Sequence, residues 1–262
     1  MIKIFCVTNK PLPILENSPL SLAGVGEHIF PSNYINTKVR NNIHYKEKFY
    51  SELTFHYWYW KNLLFSENSE WVGFCQKRRF WIKEDSDLSK INENNLIENL
   101  LIKENHSWSK LDSIICNPIN ISGAKKIKLF KRGWRNLIRN PRFIFGKKEN
   151  IITHFDMHHG YGNLNKAIKK LDSEDRDEFE KFVFNKSSYN PHIMFIARKE
   201  ILDKWFKNVF SWLERCEEEF GFESLKGYDT ERLYAYLAER YLSFWFTKYT
   251  RFREHPWVFI NF

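Results

Sequence analysis

The chain has 262 residues, 43% hydrophobic and 28% charged, so it can bury a core while staying hydrated, which excludes a mostly disordered chain. Forty-one Lys and Arg against 32 Asp and Glu give a formal charge of +9, favouring anionic partners such as phosphates, nucleotides or an acidic membrane face. Aromatic residues reach 18%, with 24 Phe and 10 Trp, more than a core of this size usually needs, so some rings are expected at a ligand or an interface.

In chain order, Ile2–Thr8 is an apolar, β-rich run that stops at Asn9-Lys10-Pro11. It reads as a buried first strand delivering a polar loop, and not as a signal peptide, because it has neither a basic start nor a small-residue cleavage site. A looser segment containing Gly24-Val25-Gly26 follows. Phe49–Leu64 is apolar nearly all round and predicts a buried helix. Trp71–Cys75 predicts a short strand running directly into Gln76-Lys77-Arg78-Arg79, and Asn94–Lys103 an amphipathic helix. Ser113–Cys116, closed by Asn117-Pro118, predicts another strand.

Residues 125–148 hold ten Lys and Arg and no acidic residue, interleaved with large apolar side chains. This pattern suits either a headgroup-facing segment or a solvated hairpin with its apolar face on the core. Helices are predicted at Leu164–Leu171, Asp172–Phe184, Lys199–Phe220 and Glu231–Phe246, with a strand at His192–Ala197. Cys6, Cys75, Cys116 and Cys216 form no CxxC and read as buried free thiols. No run approaches the roughly 18 apolar residues of a membrane span. The expected architecture is α/β, a single domain over residues 1–262 with a more helical C-terminal half.

Four polar clusters end or interrupt apolar elements, where α/β folds place ligands. They are Thr8-Asn9-Lys10; Glu52 and Thr54 with Tyr57, Trp58, Trp60, Lys61 and Asn62; Gln76–Arg79; and His154, Asp156, His158, His159, Asn190 and His192. Two guanidiniums at a strand end can clamp a diphosphate bidentately, or form a solvated basic turn. Asp85-Ser-Asp87 has the Asp-x-Asp form that divalent metals use, and also the form of an ordinary acidic loop. The His154–His159 run offers a metal box or a polar lining. Glu239-Arg240 reads as a buried ion pair or as a site carboxylate with its partner.

Taken together, Asn9-Lys10-Pro11, Glu52-Leu53-Thr54 with Tyr57-Trp58-Tyr59-Trp60-Lys61-Asn62, Gly73 to Trp81, Asp112–Ile115, His158-His159, Asn190–Ile196 and Ala238–Leu242 occur in an order that resembles a known family. It is the bacterial capsular- and exopolysaccharide-synthesis glycosyltransferases grouped as domain of unknown function 4422. The Tyr-Trp-x-Trp-Lys-Asn block is the most specific element. Departures are Asn9, Gln76 and Lys77, where the family carries His, His and Tyr, and the inserted residues 191–193.

The resemblance implies a single GT-A-like, Rossmann-like nucleotide-sugar domain. Its implied reaction moves a hexose, such as galactose or galactofuranose, from a UDP-sugar to a lipid-linked or oligosaccharide acceptor in surface-polysaccharide synthesis. Thr8, Asn9, Lys10, Lys61, Asn62, Arg78 and Arg79 would then hold the nucleotide and diphosphate. Trp58, His158, His159 and Asn190 would face the sugar or acceptor, and Asp156, Glu239 and Glu52 are the candidate bases. With arginines standing where an Asp-x-Asp often does, leaving-group stabilisation without a protein-held metal is expected, Mg or Mn dependence staying open, and no permanent cofactor. A polyprenyl-diphosphate-linked acceptor and the basic segment together imply a cytoplasmic protein, peripheral on the inner face of the cytoplasmic membrane. The alternatives are a non-catalytic sugar-binding or scaffold subunit, and a nucleic-acid-binding protein, against which stands the lack of an RNA-binding signature.

Overall fold

The computed structural model describes residues 1–121 and 150–262. The basic segment 125–148 therefore lies outside the described residues. The chain groups into two compact units: residues 1–117, 192–208 and 245–262 in the first, and 118–191 and 209–244 in the second. The chain crosses between them four times.

The first unit is built on a nine-stranded mixed sheet. Its founding strand, β1 (Ile2–Thr8), is apolar and buried on both faces, the pattern of an interior parallel strand. β1 lies parallel to β2 (Ser21–Gly24) on one side and to β4 (Trp71–Gln76) on the other. β3 (Ile35–Asn36) extends the parallel set beyond β2. The sequence reading leaves β2 and β3 as loop, because Ser-Leu-Ala-Gly and a two-residue strand carry little β-propensity; it is pairing of β2 with β1, and of β3 with β2, that makes them sheet. Past β4 the sheet becomes mixed. A hairpin leads from β4 into β5 (Arg79–Trp81), and β9 (Phe195–Arg198) runs antiparallel between β4 and β6 (Ser113–Cys116). The last strands, β10 (Phe252–His255) beside β6 and β11 (Trp257–Phe259) beside β5, follow a helix and are short, and β10 is largely polar, which hides them in the sequence. β7 (Ile119–Asn120) and β8 (Ser188–Tyr189) form a separate small ladder in the second unit.

Because side chains alternate across a strand, the two faces of this sheet bury different sets. Ile4, Cys6, Cys75, Ile114 and Ile196 pack with Trp71, Trp81 and Trp108 on one face. On the other, Phe5, Phe74 and Phe195 meet Phe55, Tyr59 and Phe206 as an interlocked set of rings. Gly73 allows close packing at the centre: a Cβ there would stand 2.8 Å from the Ile196 side chain. The cysteines are free and buried.

The predicted helix over 49–64 forms as two pieces, α1 (Glu47–Tyr50) and α2 (Leu53–Asn62). Ser51 interrupts them with φ of 51°, and its carbonyl accepts the Thr54 hydroxyl at 2.8 Å. The 94–103 helix shrinks to α3 (Leu96–Asn99), since Leu100 is drawn into a bridge with Ile82. In the second unit α4 (Ile151–His159), α5 (Asn163–Ile168) and α6 (Ser173–Asn185) precede the long α7 (Lys199–Phe220). A single turn, α8 (Tyr228–Glu231), leads to α9 (Leu233–Tyr249). α7 and α9 each contribute to both units. The second unit's core gathers Phe179, Trp212, Tyr241 and Phe244, with Trp212 Nε1 donating to the Ala167 carbonyl at 2.8 Å. Among the described residues no helix is long and apolar enough to cross a membrane.

His56 of α2 is enclosed by Phe74, Phe195 and Phe206, and its Nδ1 has no hydrogen-bond partner. Burial pushes its pKa down to about 3 from 6.5. The unfolded chain therefore takes up a proton below pH 6.5 that the folded chain refuses until near pH 3. The stabilisation is whole above pH 6.5 and declines by about 1.4 kcal/mol per pH unit as the pH falls. His56→Phe is expected to flatten the fall of Tm between pH 7 and 5; parallel curves for the two proteins would refute this account.

Candidate functional site

In an open α/β sheet, ligands sit beyond the carboxyl ends of parallel strands, where the strand order reverses direction. Here β1 is that point, because β2 and β3 lie to one side of it and β4 to the other. The ends of β1 and β4 bring two of the sequence clusters together. Thr8 is buried, and its hydroxyl donates to the Lys10 carbonyl at 2.5 Å while accepting from the Lys10 amide at 3.2 Å. This tight turn places Asn9 and Lys10 at the sheet edge. The Lys77 amide donates to the Val7 carbonyl at 3.0 Å, and the Lys77 ammonium donates to Asn9 Oδ1.

Lys77 and Arg78 form the tip of the β4–β5 hairpin, whose last rung pairs Gln76 with Arg79. The half-buried Arg78 and Arg79 guanidiniums both lie over the Phe259 ring, each 5.4 Å from its centroid. Arg78 Nη1 stands 3.5 Å from Asn261 Oδ1. Arg79 donates from Nε to His192 Nε2 at 3.0 Å and from Nη1 to Gln76 Oε1 at 3.3 Å. Gln76 in turn donates its amide to the Glu52 carboxylate at the start of α2. One edge of the first unit thus carries Lys10, Lys77, Arg78 and Arg79. In the sequence His192 is visible only as part of a polar cluster, and Phe259 carries no signal because its strand is short and is set by pairing with β5.

Three expected site residues fall elsewhere. Trp58 is buried, stacks on Phe55 at 6.1 Å and donates Nε1 to the Val39 carbonyl at 2.8 Å, so it is a core residue and not an acceptor platform. Lys61 and Asn62 occupy the far end of α2, about 15 Å along its axis from Glu52 at 1.5 Å per residue. Lys61 lies on the Trp60 ring at 3.2 Å, and Asn62 Nδ2 ties the Asn41 carbonyl (2.8 Å) to that of Trp58 (2.7 Å). The helix that carries the most specific sequence block therefore separates its two ends: Glu52 reaches Gln76, and Lys61 and Asn62 do not.

Asp87 of the Asp-x-Asp motif caps a short turn, accepting from the Ser89 amide at 3.1 Å and its hydroxyl at 2.6 Å, and pairs with Lys90 at 3.2 Å. Among the described residues no group of three or more His, Cys, Asp or Glu is arranged to hold a metal ion.

A second polar cluster belongs to the second unit. Asn150 caps α4 by accepting the Thr153 amide at 2.9 Å, so the His154–His159 run is helical and the rings of His154 and His158, four residues apart, stand 4.7 Å from each other. Gly160 (φ 97°) and Gly162 (φ 77°) reverse the chain so that the Gly162 amide donates to Asp156 Oδ1 at 3.0 Å. Burial nevertheless raises the Asp156 pKa to about 6, against the lowering by that hydrogen bond. His159 Nδ1 meets the Asp229 carbonyl at 2.9 Å, and its ring stacks on Tyr236 at 3.7 Å. Burial, then the nearby Arg240 charge, pushes both His154 and His159 well down, leaving them neutral at pH 7.

Arg240 stands beside these histidines. It is 1% exposed, ion-paired with Glu239, and its guanidinium lies 3.8 Å over the Tyr189 ring. Next to Tyr189, Asn190 is buried and its backbone N–H donates to Ser243 Oγ at 2.7 Å. The sequence dipeptide Glu239-Arg240 pointed here, but Tyr189 and Tyr236 carried no signal. Of the three candidate bases, Glu52 is bonded to Gln76 and Glu239 to Arg240, while Asp156 is the carboxyl moved toward neutral pH.

No curated protein matches the chain. Among solved structures, the apo structure of WbbM, a bifunctional glycosyltransferase, matches with a TM-score of 0.74 at 19% identity. The match covers 100% of this chain and 45% of that one, so the chain spans less than half of that neighbour's length. The expected α/β, GT-A-like fold is the one found. The model of the family described as domain of unknown function DUF4422 matches residues 3–250, and the chain belongs to that family.

Proposed function

We propose that the chain is a glycosyltransferase that binds a nucleoside-diphosphate sugar at the carboxyl edge of β1 and β4. The observation that carries this reading is the set of cations at the strand-order reversal: Lys10, Lys77, Arg78 and Arg79 stand where an α/β sheet takes its ligand. Guanidiniums match phosphate oxygens in planar pairs, and fixed cations facing a departing diphosphate lower the barrier to sugar transfer. Fold likeness to a bifunctional glycosyltransferase supports the same reading.

In the proposed reaction, the bond between the anomeric carbon and the diphosphate oxygen breaks. Arg78 and Arg79 take up the charge that collects on the leaving oxygens, and an acceptor hydroxyl forms the new bond while losing its proton. A carboxylate base takes up that proton as the new bond forms. UDP is the proposed nucleotide and a hexose, such as galactose or galactofuranose, the proposed sugar. A polyprenyl-diphosphate-linked or oligosaccharide acceptor of surface-polysaccharide synthesis, met at the inner face of the cytoplasmic membrane, completes the reading.

Calorimetry tests the donor half. UDP is expected to bind saturably and uridine at least about tenfold more weakly, because the cations contact only the diphosphate. Equal binding of the two, or none of UDP, would remove the cationic edge as a donor site. UDP binding with no sugar transfer across a nucleotide-sugar panel would point instead to a sugar-binding scaffold.

A further inference from the structure

We propose that His192 is a positioning residue that holds Arg79 in the orientation the diphosphate requires, an inference that rests on the donor reading above. His192 enters the first unit immediately before β9 and adopts φ of 65°, a left-handed conformation that only a few per cent of non-glycine residues occupy. Such a backbone persists where its surroundings over-determine it, and it recurs at functional sites. Here it aims an imidazole at Arg79: Nε2 accepts the Arg79 Nε–H at 3.0 Å, and the ring stands edge-on to Trp257 at 4.7 Å. To accept at Nε2 while uncharged, the ring must carry its proton on Nδ1.

Arg79 is consequently fixed from three directions. His192 takes Nε–H, Gln76 Oε1 takes Nη1–H at 3.3 Å, and Phe259 lies beneath the guanidinium plane. Gln76 is anchored by Glu52, so the orientation is transmitted from the start of α2 on one side and from the segment before β9 on the other. An arginine left unheld would lose its rotamer freedom on closing around a diphosphate; one already held does not. His192 acts through Arg79 and needs no contact with substrate.

Two variants separate the acceptor from the backbone. Glycine tolerates φ of 65° without strain, so His192→Gly should fold with an unchanged or higher Tm while losing the acceptor. His192→Gln keeps an acceptor oxygen near the place of Nε2. By calorimetry, His192→Gly is expected to bind UDP about tenfold more weakly and His192→Gln within about threefold of wild type, as for loss and retention of a hydrogen bond to a charged group. The Arg79 Nε–H signal in 15N spectra should exchange slowly in wild type and His192→Gln, and rapidly in His192→Gly. Wild-type affinity in His192→Gly overturns the inference alone, as does equal weakening in both variants. Absence of UDP binding by wild type overturns the donor reading, and this inference with it.

Discussion

Arg79→Ala is expected to lower sugar-transfer turnover by about 10²- to 10³-fold, the loss seen when one preorganised donor to a developing negative charge is removed. The side chain is half-buried at a hairpin edge and touches Phe259 from above, so its removal leaves both faces of the sheet packed and Tm within a few degrees. Arg79→Lys should restore little. Lysine cannot donate to His192, Gln76 and a phosphate from one rigid plane, and a point charge in place of a planar fork loses the paired geometry. The measurement is kcat with the donor that calorimetry selects, beside the melting curve of each variant. Turnover near wild type in a folded Arg79→Ala protein would dismiss the arginine grip.

The largest structural effect is expected at Phe74→Ala, a loss of about 3–5 kcal/mol in unfolding free energy. Phe74 is fully buried in β4 and is ringed by His56 (4.4 Å), Phe195 (5.1 Å), Tyr59 (5.3 Å) and Phe206 (5.9 Å). These rings come from strands and helices that cannot converge independently, so the space left would collapse only in part. β4 also delivers Gln76 and the hairpin of Lys77 and Arg78, which gives the variant a second signature: weakened UDP binding even at temperatures where it stays folded. Denaturant unfolding measures the first effect; a loss below about 1 kcal/mol would mean that the neighbouring rings close the gap.

Much of the framework was legible from residue patterns. Ile2–Thr8, Trp71–Cys75, Ser113–Cys116 and Lys199–Phe220 each have a continuous or strongly periodic apolar content, and each forms close to where it was expected. What escaped was short or set by pairing partners. β2 is sheet because β1 offers it an edge, β3 because β2 does, and β10 and β11 because β6 and β5 do. Thr8, Asn9 and Lys10 after β1 and Arg78 and Arg79 after β4 lie on one edge of the sheet, and such strand ends announce themselves in the sequence as polar stops after apolar runs. Trp58 is packed in the core instead, and Lys61 and Asn62 stand about 15 Å along α2 from Glu52, because some ten residues separate them at a rise of 1.5 Å each.

By itself the sequence determined the strands and helices with strong apolar patterns, the excess of positive charge, and the position of that charge directly after buried strands. Those properties reside in consecutive residues and need no partner. Only the tertiary structure decided that Gln76, Arg79 and His192 form one hydrogen-bonded assembly, that His154, His159 and Arg240 share a separate buried cluster, and that Trp58 belongs to the core. The reason is that a hydrogen bond between residues 79 and 192, or a pKa raised by burial, depends on distances that chain connectivity leaves open until strands pair and helices pack.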